Sequence, residues 1–173
     1  ATSSTKKTVI QKTSPAQVKH EEYDVPTAQN VVFQPNPGPQ TQYLASSERE
    51  VLYGGAAGGG KSYATLADPL RNMNSPDFSG LLVRHTTEEL RELIYKSQEL
   101  YPKIWPGIKW SERKMQWTAP SGARLWMSYL DRDEDVLRYQ GLAFSWIGFD
   151  ELTQWPTPYA WNYMRSRLRS TAP

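Results

Sequence analysis

Cysteine is absent from this 173-residue chain, which excludes disulfides, thiolate zinc sites, iron–sulfur clusters and cysteine nucleophiles, and permits a reducing compartment. Histidine is nearly absent too. His20 and His85 have no companion ligands at metal-binding spacing, so a bound transition metal is not expected. No stretch approaches the roughly 18 apolar residues of a membrane span, and the opening ATSSTKKTVIQKTS lacks the apolar centre of a secretory signal. A formal charge of +2 gives no global field that would select nucleic acid or an acidic surface, so any basic surface must be local. The expectation is a soluble protein with one core and no repeat.

Large apolar groups are scarce at the start. Five of the 13 prolines fall within the first forty residues, among many Ser, Thr, Gln and Lys. Too little can be buried there to offset the entropy of ordering the backbone, so residues 1–34 read as a flexible arm. From Val51 the pattern changes. Val51–Tyr53 predicts a strand that feeds a glycine loop, followed by a helix over Ser62–Met73 with a kink near Thr65 caused by Pro69. A strand over Gly80–Arg84 precedes a second helix, opened by Thr86 with Glu89 as a capping box, striped by Leu90, Leu93, Ile94 and Tyr101, and closed at Pro102. Residues 113–130 alternate around Pro120-Ser121-Gly122, as a hairpin does. The acidic residues 131–135 mark a loop. The apolar run Leu142–Phe149 suits a strand buried on both faces, and a last helix near 158–170 would turn Trp161, Met164 and Leu168 inward. Strands alternating with helices predict an α/β fold: a mainly parallel sheet flanked by helices, with an inserted β-hairpin.

Five of the 11 glycines lie within seven residues. Gly55-Ala56-Ala57-Gly58-Gly59-Gly60-Lys61-Ser62 fits G-x-x-x-x-G-K-[ST], between a predicted strand and a predicted helix. Such a loop curls so that successive backbone N–H groups face phosphate oxygens, which side chains would obstruct, and the helix N-terminus adds partial positive charge. Lys61 would reach the β- and γ-phosphates, and the Ser62 hydroxyl would ligate Mg²⁺. Asp150-Glu151 ends the last apolar strand. Combined with the loop, this pair suits ATP hydrolysis: Asp150 for the Mg²⁺ and Glu151 to orient and deprotonate the attacking water. Adjacent residues at a strand end point apart, as these two tasks require.

In order and combination, F-x-P-N-P-G-P-Q (Phe33–Gln40), V-L-Y-G-G-A-A-G-G-G-K-S (Val51–Ser62), L-L-V-R (Leu81–Arg84), R-Y-Q-G (Arg138–Gly141), W-I-G-F-D-E-L-T (Trp146–Thr153) and R-S-R-L-R-S (Arg165–Ser170) resemble the ATPase domain of the large terminase subunit of tailed double-stranded DNA bacteriophages. The resemblance spans about residues 33–173. It implies a P-loop NTPase of the ASCE type, over residues 35–173. It further implies ATP and Mg²⁺ as cofactors, with ATP on the loop Gly55–Ser62, Gln40 at adenine, Ser62 and Asp150 at the metal, and Lys61 and Glu151 in catalysis. The implied partners are double-stranded viral DNA, the portal protein and procapsid, the small terminase subunit, and further copies in a pentameric ring. The implied place is the host cytoplasm, transiently at the portal, with no membrane partner.

Many terminases carry an arginine just before the glycine that precedes the acidic strand, and it acts on a neighbour's ATP. Gln140 stands there in this chain, and Arg138 becomes the first candidate for that role, with Arg84 and Arg167 behind it. The family continues through a coupling motif and a nuclease domain, neither of which is assigned to residues 1–173. The family sheet also inserts a later strand between the loop strand and the acidic strand, so the domain is expected to be incomplete here. A helicase-like nucleic-acid ATPase and a non-catalytic nucleotide-binding assembly fragment remain open as alternatives.

Overall fold

A computed structural model describes residues 7–13, 17–23, 31–54 and 60–169, the first two segments by their backbone alone. The chain divides into two units, Ala1–Gln34 and Pro35–Pro173. In the first, β1 (Lys7–Thr13) and β2 (Gln17–Tyr23) pair antiparallel, Lys7 opposite Tyr23 and Thr13 opposite Gln17. The β-branched residues Thr8, Val9, Ile10 and Val18 favour this extended backbone within the segment read as an arm.

The second unit is a five-stranded mixed sheet with flanking helices. Its strands are β3 (Ser79–Arg84), β4 (Lys109–Ser111), β5 (Gln116–Thr118), β6 (Arg124–Tyr129) and β7 (Trp146–Phe149), in the order β4-β5-β6-β3-β7. The central strand β3 runs parallel to both β6 and β7, whereas β4, β5 and β6 alternate in direction. The sheet is therefore mixed rather than mainly parallel. The hairpin around residues 119–123 is not an insertion, because its second strand, β6, is itself the parallel neighbour of β3.

Leu81, Leu82 and Val83 are fully buried because β3 is covered on both faces. On one face α3 (Thr87–Ile104) packs Leu90, Leu93, Ile94 and Tyr101 inward. There the Trp117 indole Nε1 donates to Ser97 Oγ at 3.0 Å, and Ser97 Oγ lies 3.7 Å from Met127 Sδ. On the other face Leu81 and Val83 join Leu130, Val136, Phe144, Trp155, Ala160 and Met164 in a second apolar cluster. Each fully buried Leu contributes about 1.5–3 kcal/mol.

The capping box forms as read: the Thr86 hydroxyl accepts from Glu89 N, and the Glu89 carboxylate accepts from Thr86 N, both at 3.3 Å. Pro102 does not end α3, which continues to Ile104. Pro102 has no N–H to give the Gln98 carbonyl, so the last turn lacks that bond, and the helix closes past it with Trp105 N on Tyr101 O at 2.8 Å. The helix after the glycine loop, α2 (Lys61–Ala67), becomes a 3₁₀ turn over Asp68–Asn72. Pro69 therefore changes the winding at Asp68 rather than kinking the helix near Thr65.

Three expectations about apolar segments are corrected. Val51–Tyr53 forms no strand, and Leu52 is 82% exposed. An apolar run becomes a strand only where it joins a hydrogen-bonded ladder, and Val51–Tyr53 belongs to neither named sheet. The run Leu142–Phe149 yields only the four-residue β7, all of it partly exposed. Among the named strands β7 pairs with β3 alone, so it is an edge strand instead of one buried on both faces. The last helix, α4 (Tyr159–Arg165), is shorter than expected. The chain beyond it turns so that Leu168 bridges Phe144 in parallel, with Phe144 N bonded to Arg167 O and Arg169 N to Phe144 O, both at 2.9 Å.

Candidate functional site

Parallel strands β6, β3 and β7 bring their carboxyl ends to one edge, where Tyr129 stands beside Arg84, and Val83 beside Phe149. In open α/β sheets this edge is where ligands bind. Asp150 follows β7 directly, and its N–H bonds to Val83 O at 3.0 Å, which continues the ladder by one residue and fixes the side chain. Asp150 is buried, and its Oδ2 lies 2.9 Å from Nη2 of the buried Arg84. The approach makes an ion pair whose angle leaves Oδ2 without a hydrogen bond. Burial pushes the Asp150 carboxyl above the usual carboxylate range, opposed by the Arg84 charge and by a hydrogen bond from Ser62, while Glu151 adds to the rise.

Ser62, in the first turn of α2, is close enough to Asp150 to lower its carboxyl. Lys61 is the first residue of the same helix. Gly60 precedes it with φ +73°, in the left-handed region that favours glycine. A Cβ there would lie 2.7 Å from Gln40 Nε2. Gln40, in α1 (Pro39–Ala45), is 97% buried; its Nε2 donates to Gly60 O at 2.8 Å and its Oε1 accepts from Asn36 N. The amide predicted to face adenine thus ties the proline-rich turn to the end of the loop. The remaining loop residues of the motif, Gly55, Ala56, Ala57, Gly58 and Gly59, lie outside the described residues.

Glu151 adopts φ 56°, ψ 47°, a left-handed conformation rare for glutamate. Such strain costs about 1–3 kcal/mol and clusters at functional sites. It turns the chain sharply from β7 into the 3₁₀ turn Leu152–Gln154, where Gln154 Nε2 donates to Glu89 Oε1 at 2.7 Å.

Sequence reasoning missed a second polar network. The Trp146 indole folds over Gly148, where a Cβ would meet it at 2.3 Å, and donates Nε1 to Asp68 Oδ2 at 2.9 Å. Asp68 also pairs with Arg71, whose Nη2 donates to Leu44 O at 2.7 Å. Tyr43 stacks on Tyr53 with ring centres 5.0 Å apart, and its phenol is pushed up by burial and by the neighbouring Asp68. These contacts join α1, the turn after α2 and β7.

The candidate trans-acting arginines fare differently. Arg84 is occupied internally by Asp150. Arg138 is half-exposed, with Nη2 donating to Tyr129 O at 2.7 Å and Nε to Asp135 O at 3.2 Å, and its guanidinium lies over the Tyr129 ring. Arg167 stacks on Tyr163 at 5.0 Å. A cavity of about 710 Å³ is bounded in part by Phe78, Trp126, Phe144 and, from the R-Y-Q-G motif, Arg138 and Tyr139; Ser62, Asp150 and Glu151 do not line it.

Among the described residues, no three His, Cys, Asp or Glu side chains are grouped to hold a metal ion, and no helix is long and apolar enough to cross a membrane. Comparison with family models, curated proteins and solved structures finds no match.

Proposed function

We propose that this chain is an ATP-hydrolysing motor part, of the kind that the large terminase subunit supplies to drive viral double-stranded DNA into a procapsid. The observation that carries the nucleotide reading is the buried Asp150 at the carboxyl end of β7, held by its N–H on Val83 O, with Ser62 at the start of α2 close enough to lower its carboxyl. Two motifs far apart in sequence meet at the carboxyl edge of the sheet, one at the start of a helix and one at the end of a strand. The particular motor rests on the ordered motifs of the sequence.

Mg²⁺ fits this donor set, since a hydroxyl and one carboxylate are hard oxygen ligands and Mg²⁺ commonly completes its shell with water and substrate phosphates. Ser62 and Asp150 would hold it, where it would neutralise charge developing on the phosphates. Lys61 and the N–H groups at the start of α2 bind the phosphate oxygens. Glu151 orients a water for in-line attack on the γ-phosphorus and accepts its proton, as the bond to the β-phosphate oxygen breaks and ADP leaves. Gln40 holds the loop end through Gly60, and one Nε2 hydrogen and one Oε1 lone pair remain for an adenine edge. Arg138 is the candidate to act on a neighbouring copy's ATP in a pentameric ring. Portal, procapsid and small terminase subunit are the proposed partners, in the host cytoplasm.

The test is ATP turnover by the chain with duplex DNA plus portal-bearing procapsids, compared with single-stranded DNA alone. Stimulation by the former supports the packaging motor. Stimulation by single strands alone favours a helicase-like ATPase, and no turnover in any mixture favours a nucleotide-binding fragment.

A further inference from the structure

Arg84 is 92% buried in its side chain, and a guanidinium removed from water is costly unless a carboxylate offsets it. It has two carboxylates within reach. Asp150 Oδ2 lies 2.9 Å from Nη2, and Glu89 Oε1 lies 4.0 Å from Nη1. Arg84 Nε is buried without a hydrogen-bond partner, so the guanidinium is not fully satisfied where it sits. Glu89, in contrast, is held by Gln154 Nε2 at 2.7 Å and by Thr86 N at 3.3 Å.

We infer that Arg84 is a positioning residue that competes with the divalent cation for Asp150, and that cation binding transfers its guanidinium to Glu89. This rests on the nucleotide-site reading above. A divalent ion on Asp150 would stand a few ångströms from the arginine charge, and at that separation in a poorly hydrated site the repulsion is large. Arg84 cannot escape into water from its buried strand end, and Glu89 is the carboxylate it can approach by a small rotation. Because Glu89 also caps α3 and binds Gln154, occupancy of the metal position is passed to the N-terminus of α3 and to the turn that follows Glu151.

The experiment titrates Mn²⁺, as the spectroscopic probe, into the whole chain with ADP and reads free Mn²⁺ by electron paramagnetic resonance. Arg84→Gln removes the competitor and should tighten Mn²⁺ binding about tenfold. Glu89→Gln removes the alternative partner and should weaken it about threefold, and this loss should vanish when both substitutions are combined. A melting series supplies the folding control: Arg84→Gln should melt below the parental chain and recover more on adding Mn²⁺. Unchanged or weaker Mn²⁺ binding in a folded Arg84→Gln variant overturns the inference, as does unchanged binding in Glu89→Gln. Asp150→Asn separates the two levels. If it abolishes Mn²⁺ binding while Arg84→Gln has no effect, only the competition fails; if it leaves binding at the parental level, the metal site itself is wrong.

Discussion

Arg84 and Asp150 end neighbouring parallel strands and meet as a buried ion pair, Nη2 to Oδ2 at 2.9 Å. The pair fixes one side of Asp150, and Ser62 at the start of α2 acts to lower the same carboxyl.

Glu151 should separate chemistry from stability. Glu151→Gln preserves shape but cannot accept a proton, so it should bind ATP and lose turnover by at least about 10². Glu151→Gly relieves the left-handed strain at φ 56°. It should melt at or above the parental temperature, although glycine at an ordinary helix position costs about 0.5–1 kcal/mol. Calorimetry beside a phosphate-release assay checks both outcomes.

Gly60→Ala places a Cβ 2.7 Å from Gln40 Nε2 at a positive φ, and should cost about 2 kcal/mol. Gln40→Ala removes one of the two hydrogen bonds that Gly60 O accepts, leaving the one from Ala64 N, and should cost about 0.5–1.5 kcal/mol. The double variant should cost less than the sum, because the second change removes the clash. Denaturant melts of the four proteins measure the coupling.

The α3 cap and the central strand were legible in the sequence because each rests on local chemistry: Thr86 with Glu89 satisfies N–H groups three residues apart, and Leu81–Val83 is a short unbroken apolar run. What depended on distant partners was not legible. Val51–Tyr53 has strand composition but joins neither named sheet, and Leu142–Phe149 was read as a strand covered on both faces when β7 lies at an edge. Arg84 was read as a candidate for a neighbour's site; that it faces Asp150 follows only from the register of β3 against β7. The one available signal was an arginine ending a fully apolar strand, which hints at a buried partner.

Tyr101 anchors α2 from below: its hydroxyl, fully buried, donates to Leu66 O at 2.8 Å. Tyr101→Phe deletes that bond with little change of volume and should destabilise by about 1–2 kcal/mol. Because α2 carries Lys61 and Ser62, amide exchange in α2 should quicken more than in β3. Hydrogen exchange read by mass spectrometry resolves the two elements.

Glu89 predicts part of the acid limb of stability. Burial acts to raise its carboxyl, but the hydrogen bonds from Gln154 and Thr86 outweigh it and leave the group below its ordinary value of 4.5. The folded state therefore binds the proton less readily than the unfolded one. The stabilisation is complete above the unfolded value and is lost as pH falls through the folded one. Glu89→Gln should flatten this segment of the profile, and Gln154→Ala should shrink it. Urea melts between pH 2 and pH 6 (about the window where carboxylates titrate) measure the slope.

The central claim, that residues 55–62 and 150–151 form one Mg²⁺-dependent nucleotide site, is tested most directly by calorimetric titration of a slowly hydrolysed ATP analogue with and without Mg²⁺. The parental chain should bind one equivalent, more tightly with Mg²⁺, and Asp150→Asn should lose the Mg²⁺ enhancement. Lys61→Ala should weaken binding at least about tenfold, consistent with loss of a charge-assisted phosphate contact. No binding by the folded parental chain, or equal affinity in the parental and Lys61→Ala proteins, would contradict the account.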